Sequence, residues 1–424
     1  MLNQKILIRQ TKVIDPNGPH HQQVVDIEIL NGKINRIAKN IQITDNQEIV
    51  IKNAPYTSLG WVDCYCELRE PGKEIQEDLQ TLNEVAINSG FTKILGQPNT
   101  IPILEKPSDI SLIVEKCQKF QTQIIPLAAT SKGFNNLSLT EFFLNKEAGC
   151  AGFSQGKIPY SNMDILVRAL RSAKSLDLPI VSSPLEKSLA NSFINESEKN
   201  LHLGFKGQAH IAETSVIAQQ IEILKYTGGH LHFTGISTSE GVELIRKAKN
   251  ENINLTCDIS INNLCFTEKD VASYNSLYKT NPPLRTEEDR IALIEGINDG
   301  TIDCISSYHQ PVNSENKAVE IEYAEEGLLG LQTFLPMYVR HLSTHISLEK
   351  FIEAITQKPH KIFGLEKSTI EQGEKSNLVG FDLDSEWLYN FESLKSKSYN
   401  HPYFEKSLRG EIKFTANKAQ FFQC

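Results

Sequence analysis

Eight short apolar runs, separated by stretches of helical spacing, constrain this chain more than any other feature. The runs are Leu59–Cys64, Thr92–Leu95, Gln123–Ala128, Gly149–Ser154, Pro179–Ser182, His230–Thr234, Ile253–Ile259 and Ile302–Ser306. Amphipathic segments lie between them, including Asp78–Ser89, Ser108–Lys119, Met163–Leu176, Thr214–Tyr226, Ser239–Asn250 and Glu287–Asn298. Parallel strands need crossover helices, and eight of them close into a barrel filled by side chains. The pattern predicts an α/β chain whose main body is a (β/α)8 TIM barrel. Tyr323–Leu342 and Leu348–Ile355 read as two further helices after the last run.

The two ends of the chain have a different texture. Lys5–Arg9, Val25–Ile29 and Lys33–Ile37 alternate apolar and polar residues, broken by Asp15-Pro-Asn-Gly18 and by Asn31-Gly32, a strong hairpin signal. Strand texture returns at Asn377–Asp382 and Gly410–Thr415. The expectation is a small β-sandwich domain formed by both termini, residues 1–55 with 366–424, beside a barrel of residues 56–365.

A length of 424 residues allows a large core, and a net charge of −9 lacks the basic footprint that nucleic acid or an anionic membrane demands. No apolar run reaches the roughly 18 residues of a membrane span. The eight cysteines fall into no metal-binding spacing, and no signal peptide is evident. Free thiols in the cytoplasm are expected.

Chemistry in such barrels sits at the C-terminal strand ends. In Gly60–Gly72 a period of two places Tyr65 and Glu67 on one face and Cys64 and Cys66 on the other. The remaining strand ends present Asn99, Gln155, Ser183, Gly235 and Tyr308. These positions hold no histidine and one carboxylate, whereas a catalytic zinc takes about three protein ligands.

Leu68-Arg69-Glu70-Pro71-Gly72, Glu77-Asp78, Gly90-Phe91-Thr92, Pro98-Asn99-Thr100, Ile236-Ser237-Thr238, Asn281-Pro-Pro-Leu-Arg285, Asp303-Cys-Ile305 and Pro359–Leu365 resemble dihydroorotase of the amidohydrolase superfamily. The resemblance implies a zinc cofactor, yet the positions for its ligands do not carry them. The strand-one His-x-His falls on Tyr65-Cys66-Glu67, and the strand-four aspartate or carboxylated lysine falls near Gln155. The strand-five and strand-six histidines fall on Ser183 and Gly235, and the catalytic aspartate falls on Tyr308. Family positions that bind the dihydroorotate carboxylate and ring carry over as Arg69, Asn99 and Asn281. The chain is most similar to the non-catalytic dihydroorotase-like proteins that accompany aspartate transcarbamoylase, which implies no catalytic residues, no metal, a homodimer and that enzyme as partner.

Structural readings stand beside these. Arg69 with Glu70 reads equally as an ion pair fixing the strand-end loop, and Asn99 and Asn281 as turn chemistry beside proline. Tyr308-His309 reads as an acid/base pair or as a ring filling vacated space. His230 and His232 read as a hydrogen-bonded core pair or a metal pair, and Ser183 lacks the surroundings of a nucleophile. Two functions are consistent with these residues. The first is a catalytically inactive scaffold or regulator for aspartate transcarbamoylase in pyrimidine biosynthesis. The alternative is an active dihydroorotase or related cyclic-amide hydrolase with a rebuilt centre. A weaker third is a sensor of dihydroorotate-like ligands through Arg69, Asn99 and Asn281.

Overall fold

The computed structural model describes residues 5–42, 49–190, 192–198, 200, 204–366 and 368–424. Alternating strands at the N-terminus, β1 (Lys5–Ile14), β2 (Val24–Leu30) and β3 (Lys33–Ala38), form an antiparallel meander with Asn31-Gly32 at its tight turn. Strands β4 (Ile49–Ile51) and β5 (Tyr56–Leu59) pair in parallel with β1.

The barrel comes next. Its strands are β6 (Trp61–Glu67), β7 (Phe91–Gln97), β8 (Gln123–Pro126) with its continuation β9 (Ala128–Ala129), β10 (Phe153–Ser154), β11 (Ile180–Ser182), β12 (Leu231–Phe233), β13 (Leu255–Ser260) and β14 (Cys304–Ser306). All of their pairings are parallel. The chain then returns through β15 (Leu378–Tyr389), β16 (Lys406–Asn417) and β17 (Gln420–Gln423). Strand β15 lies antiparallel against β5, so both termini share one sheet in the order β17-β16-β15-β5-β1-β2-β3. The fold is therefore a TIM barrel with a β-sandwich unit built from both ends of the chain.

Three apolar clusters result from this layout. Ile6, Ile8, Val13, Ile27, Leu378 and Phe414 fill the terminal unit. Cys64, Leu95, Leu127, Val181, Cys304 and Phe363 pack together where the strands face one another. Between strands and helices the fully buried Trp61 meets Phe91 edge-on at 5.7 Å, and its indole N–H donates to Ser58 Oγ at 3.0 Å. All eight cysteines are free. Among the described residues no helix is long and apolar enough to cross a membrane.

Two expectations fail locally. Cys64 and Cys66 do not share a face: the β6–β7 register slips between Asp63 and Cys66, and the two thiols enter different clusters. An extra residue in one strand re-aims the side chains beyond it, as bulges beside active sites do. Within Tyr323–Leu342, helix begins only at Phe334. Upstream, backbone groups bond to distant segments: the Gly327 amide donates to Lys279 O at 3.0 Å, and Leu328 O accepts from the Gln310 amide, past the eighth strand, at 2.8 Å. Gly330 crosses Ser307 so closely that a Cβ there would lie 1.9 Å from Ser307 O.

The barrel closes through a side chain. Asp63 of β6, fully buried, accepts from the Ser307 amide at 2.8 Å and from Ser307 Oγ at 2.5 Å just beyond β14. The Glu67 amide donates to His309 O at 3.1 Å on the same seam. Burial, only partly offset by the Ser307 bonds, pushes the Asp63 carboxyl up to about 7. A folded-state value above the unfolded one means that this group's contribution is full at low pH and is lost as pH rises through about 7. Asp63→Asn keeps an acceptor for the Ser307 amide and removes the titration. Urea unfolding across pH should show wild-type stability falling relative to Asp63→Asn, by on the order of a few kcal/mol. A difference independent of pH contradicts this reading.

Candidate functional site

At the C-terminal end of the barrel, two aromatic rings hold the centre. Tyr65, near the end of β6, and Tyr308, two residues past β14, stack with centroids 4.0 Å apart and planes 7° from parallel. Tyr308 takes a left-handed backbone, φ 50°, that turns its ring inward. Its hydroxyl lies 2.9 Å from Thr234 Oγ1, beside β12. Burial pushes both phenols well above their usual range, so they stay neutral.

Gly235 shows what the rings exclude. A Cβ built on it would lie 2.2 Å from the Tyr308 hydroxyl, so the ring stands where any larger residue would project. The Gly235 amide instead donates to Asp258 Oδ1 at 3.1 Å, and Asp258 Oδ2 lies 3.0 Å from His232 Nε2. Thr256 Oγ1 bridges His230 and His232 at 2.8 and 2.9 Å. The histidines thus form a hydrogen-bonded pair in the barrel wall, and burial drives His230 down to about 4.

Around the rings runs a belt of ion pairs. Glu67 Oε2 meets Arg69 at 2.6 Å, and its Oε1 meets Lys157 Nζ at 3.0 Å. Burial alone would raise this carboxyl, but Lys157 and Arg69 outweigh it and hold Glu67 below the usual range. Lys157 also donates to Gln310 Oε1 at 3.1 Å, while Glu325 lies 3.9 Å from Arg69 and 3.6 Å from Lys73. Arg69 therefore pairs with Glu67, not with Glu70. Glu70 accepts from the Leu79 amide at 2.8 Å, at the start of the helix Leu79–Asn88, and pairs with Lys116.

The other sequence candidates scatter. Gln155 spends its carbonyl oxygen on the Ser131 amide and hydroxyl at 3.0 and 3.1 Å. Ser183 is half-buried one residue past β11. Asn99 is half-buried beside Gly156. Asn281, far along the loop after β13, borders a cavity shared with Tyr308, Gln310 and Leu328; Arg69 and Asn99 do not. That cavity has room of about 10 Å³, about one water molecule. His309 turns away from Tyr308: its Nδ1 accepts from the Gly330 amide at 3.2 Å, and its Nε2 lies 3.6 Å from Glu77. Lys157, Gln310, Thr234 and Glu325 complete the arrangement and escape sequence reading, since each gains its role from a distant partner.

These residues do not fit a zinc ion. Glu67 is the one carboxylate at the family positions, both its oxygens face cations, and the space at Gly235 is taken by a phenol. Among the described residues one group, His210, Glu240 and Asp289, could gather around an ion. Its imidazole meets Glu240 through Nδ1 at 2.9 Å and Asp289 through Nε2 at 3.2 Å, and the Asp289 bond raises its pKa. Carboxylates on opposite ring nitrogens make a charged clamp between helix starts.

Comparison with known proteins places this geometry. A sequence profile described as the amidohydrolase family matches residues 151–416, and one described as dihydro-orotase-like matches residues 57–241. The chain is 34% identical to the dihydroorotase of Aquifex aeolicus over 97% of both chains, and 33% identical to that of Acetivibrio thermocellus over the same shares. Its fold is similar to that of L-hydantoinase from Arthrobacter aurescens, with a TM-score of 0.86 at 21% identity, covering 98% of this chain and 95% of that one. Dihydropyrimidinase from Brevibacillus agri gives 0.81 at 18% identity, covering 98% and 94%. With homology running almost end to end and a barrel of this topology, the chain belongs to the amidohydrolase family, among its dihydroorotase-like members.

Proposed function

We propose that this protein is a non-catalytic dihydroorotase homologue that serves as a structural or regulatory partner of aspartate transcarbamoylase in pyrimidine synthesis. The observation that carries the reading is the Tyr65–Tyr308 stack, which fills the strand ends where the family would assemble a metal centre. Opening a cyclic amide requires an activated water. The family lowers the pKa of a metal-bound water from 15.7 to about 7, an advantage of up to about 12 kcal/mol in nucleophile availability. A lone general base contributes about 3–5 kcal/mol, and Glu67 is already neutralised by Arg69 and Lys157. The cavity that Asn281 and Tyr308 share has room for about one water, far short of the roughly 300 Å³ at which ligand pockets begin. A dihydroorotate-like ligand at Arg69, Asn99 and Asn281 would need Tyr308 displaced and Arg69 released from Glu67.

The second reading, an active dihydroorotase or other cyclic-amide hydrolase, is favoured by identity that covers 97% of relatives named dihydroorotase. Elemental analysis of protein grown with zinc, paired with a carbamoyl aspartate cyclisation assay, separates the two. Neither stoichiometric zinc nor turnover is expected, and Glu67→His should restore neither. One zinc per chain with chelator-sensitive turnover establishes the enzyme instead. As a scaffold, the protein is expected to be a homodimer that co-elutes with aspartate transcarbamoylase; a monomer indifferent to that enzyme defeats the partnership. Truncating the filling ring by Tyr308→Ala should cost about 3–5 kcal/mol in urea unfolding, as large aromatic deletions in cores do. A loss under about 1 kcal/mol would mean that the ring does not pack the mouth.

A further inference from the structure

The barrel's opposite end holds a cavity of a different character. Its volume is about 460 Å³, within the range of small-molecule sites. It opens where the β2–β3 and β16–β17 turns meet the first residues of β7 and β8. Among the described residues four ammonium groups, Lys33, Lys93, Lys375 and Lys418, line it against two carboxylates, Glu366 and Glu374. Lys375 and Glu366 satisfy each other at 2.6 Å. That leaves three cations facing one carboxylate, on a chain whose net charge is −9.

Lys93 is the built element of this site. It is 8% exposed, and the one partner of its Nζ among the described residues is His360 Nε2 at 2.7 Å. His360 Nδ1 lies 2.6 Å from Thr356 O, a carbonyl, so this nitrogen carries the ring proton and Nε2 must accept from the lysine. Burial drives His360 down to about 4, which keeps the imidazole neutral. The lysine therefore spends one N–H on an uncharged acceptor, and among the described residues no carboxylate balances its charge at contact distance. A buried ammonium without a counter-ion is costly, and its pKa falls to about 8, driven first by burial, with Glu366 pulling upward and Lys375 downward.

We propose that this cavity at the base of the barrel binds a phosphate-bearing small molecule, with Lys93 as its buried anchor and Lys33 and Lys418 at its rim. Ammonium groups suit phosphate as point charges, and the side-chain amides of Asn377 and Asn417 supply further polar lining. The site lies away from the strand ends that carry the family's chemistry, so its ligand regulates or stabilises the fold and is not turned over. A seated dianion would hold Lys93 protonated against the pull of burial. Its affinity therefore falls as pH rises through about 8, in a field set by His360, Glu366, Lys375, Lys33, Glu374 and Lys418.

Isothermal titration of the whole protein with inorganic pyrophosphate tests this, with succinate as a dicarboxylate comparator. One saturable site is expected, weakened about tenfold in Lys93→Met and in Lys33→Ala, with the decline through pH 8 lost in Lys93→Met. Should Lys93→Met fail to fold, Lys33→Ala, at the exposed first residue of β3, decides alone. No binding by the wild type, affinity unchanged in the folded variants, or succinate bound as tightly as pyrophosphate overturns the proposal. None of these outcomes depends on whether the barrel mouth is catalytic.

Discussion

The seam between the first and last barrel strands governs the rest of the structure. Here a side chain joins the backbone contacts: Asp63 reaches across from β6 to Ser307 just beyond β14. Tyr65 stacks on Tyr308 beside this seam, and the next backbone contact, Glu67 to His309, joins the same two strand ends. One buried carboxylate therefore joins closure of the barrel to filling of its mouth. Ring stacking and burial tie together the ends of strands far apart in sequence.

The outer belt makes that closure tight. Residues after Tyr308 fold back over the mouth through the Gln310–Leu328 contact, and Glu325 and Gln310 from that return meet Arg69, Lys73 and Lys157. Arg69, whose planar fork suits a carboxylate, has found one within the chain in Glu67. The opposite end of the barrel is the reverse case, where lysine charge exceeds the carboxylates available to it.

Period and turn chemistry made the architecture legible. The eight apolar runs fall on the barrel strands, and Asn31-Gly32 sits at its hairpin, because both signals are local. What escaped was non-local. The offset of Cys64 and Cys66 depends on how β6 registers against β7, and backbone groups of Glu325, Gly327, Leu328 and Leu329 bond to Asn316, Lys279, Gln310 and Asn400 rather than within a helix. Arg69 read as a ligand contact or as a partner of its neighbour Glu70; the strand end aims it at Glu67 instead. The residue types at positions 235 and 308 were readable directly; that the Tyr308 phenol occupies the space above Gly235 depends on a contact between residues distant in sequence.

The central claim is that the mouth is full, and titration of the purified protein with dihydroorotate tests it most directly. With room for about one water beside Tyr308 and Arg69 committed to Glu67, calorimetry should record no saturable binding. A one-to-one complex that Arg69→Ala abolishes would contradict the account, because it would require the tyrosine stack to open and the arginine to exchange its partner for the ligand's carboxylate.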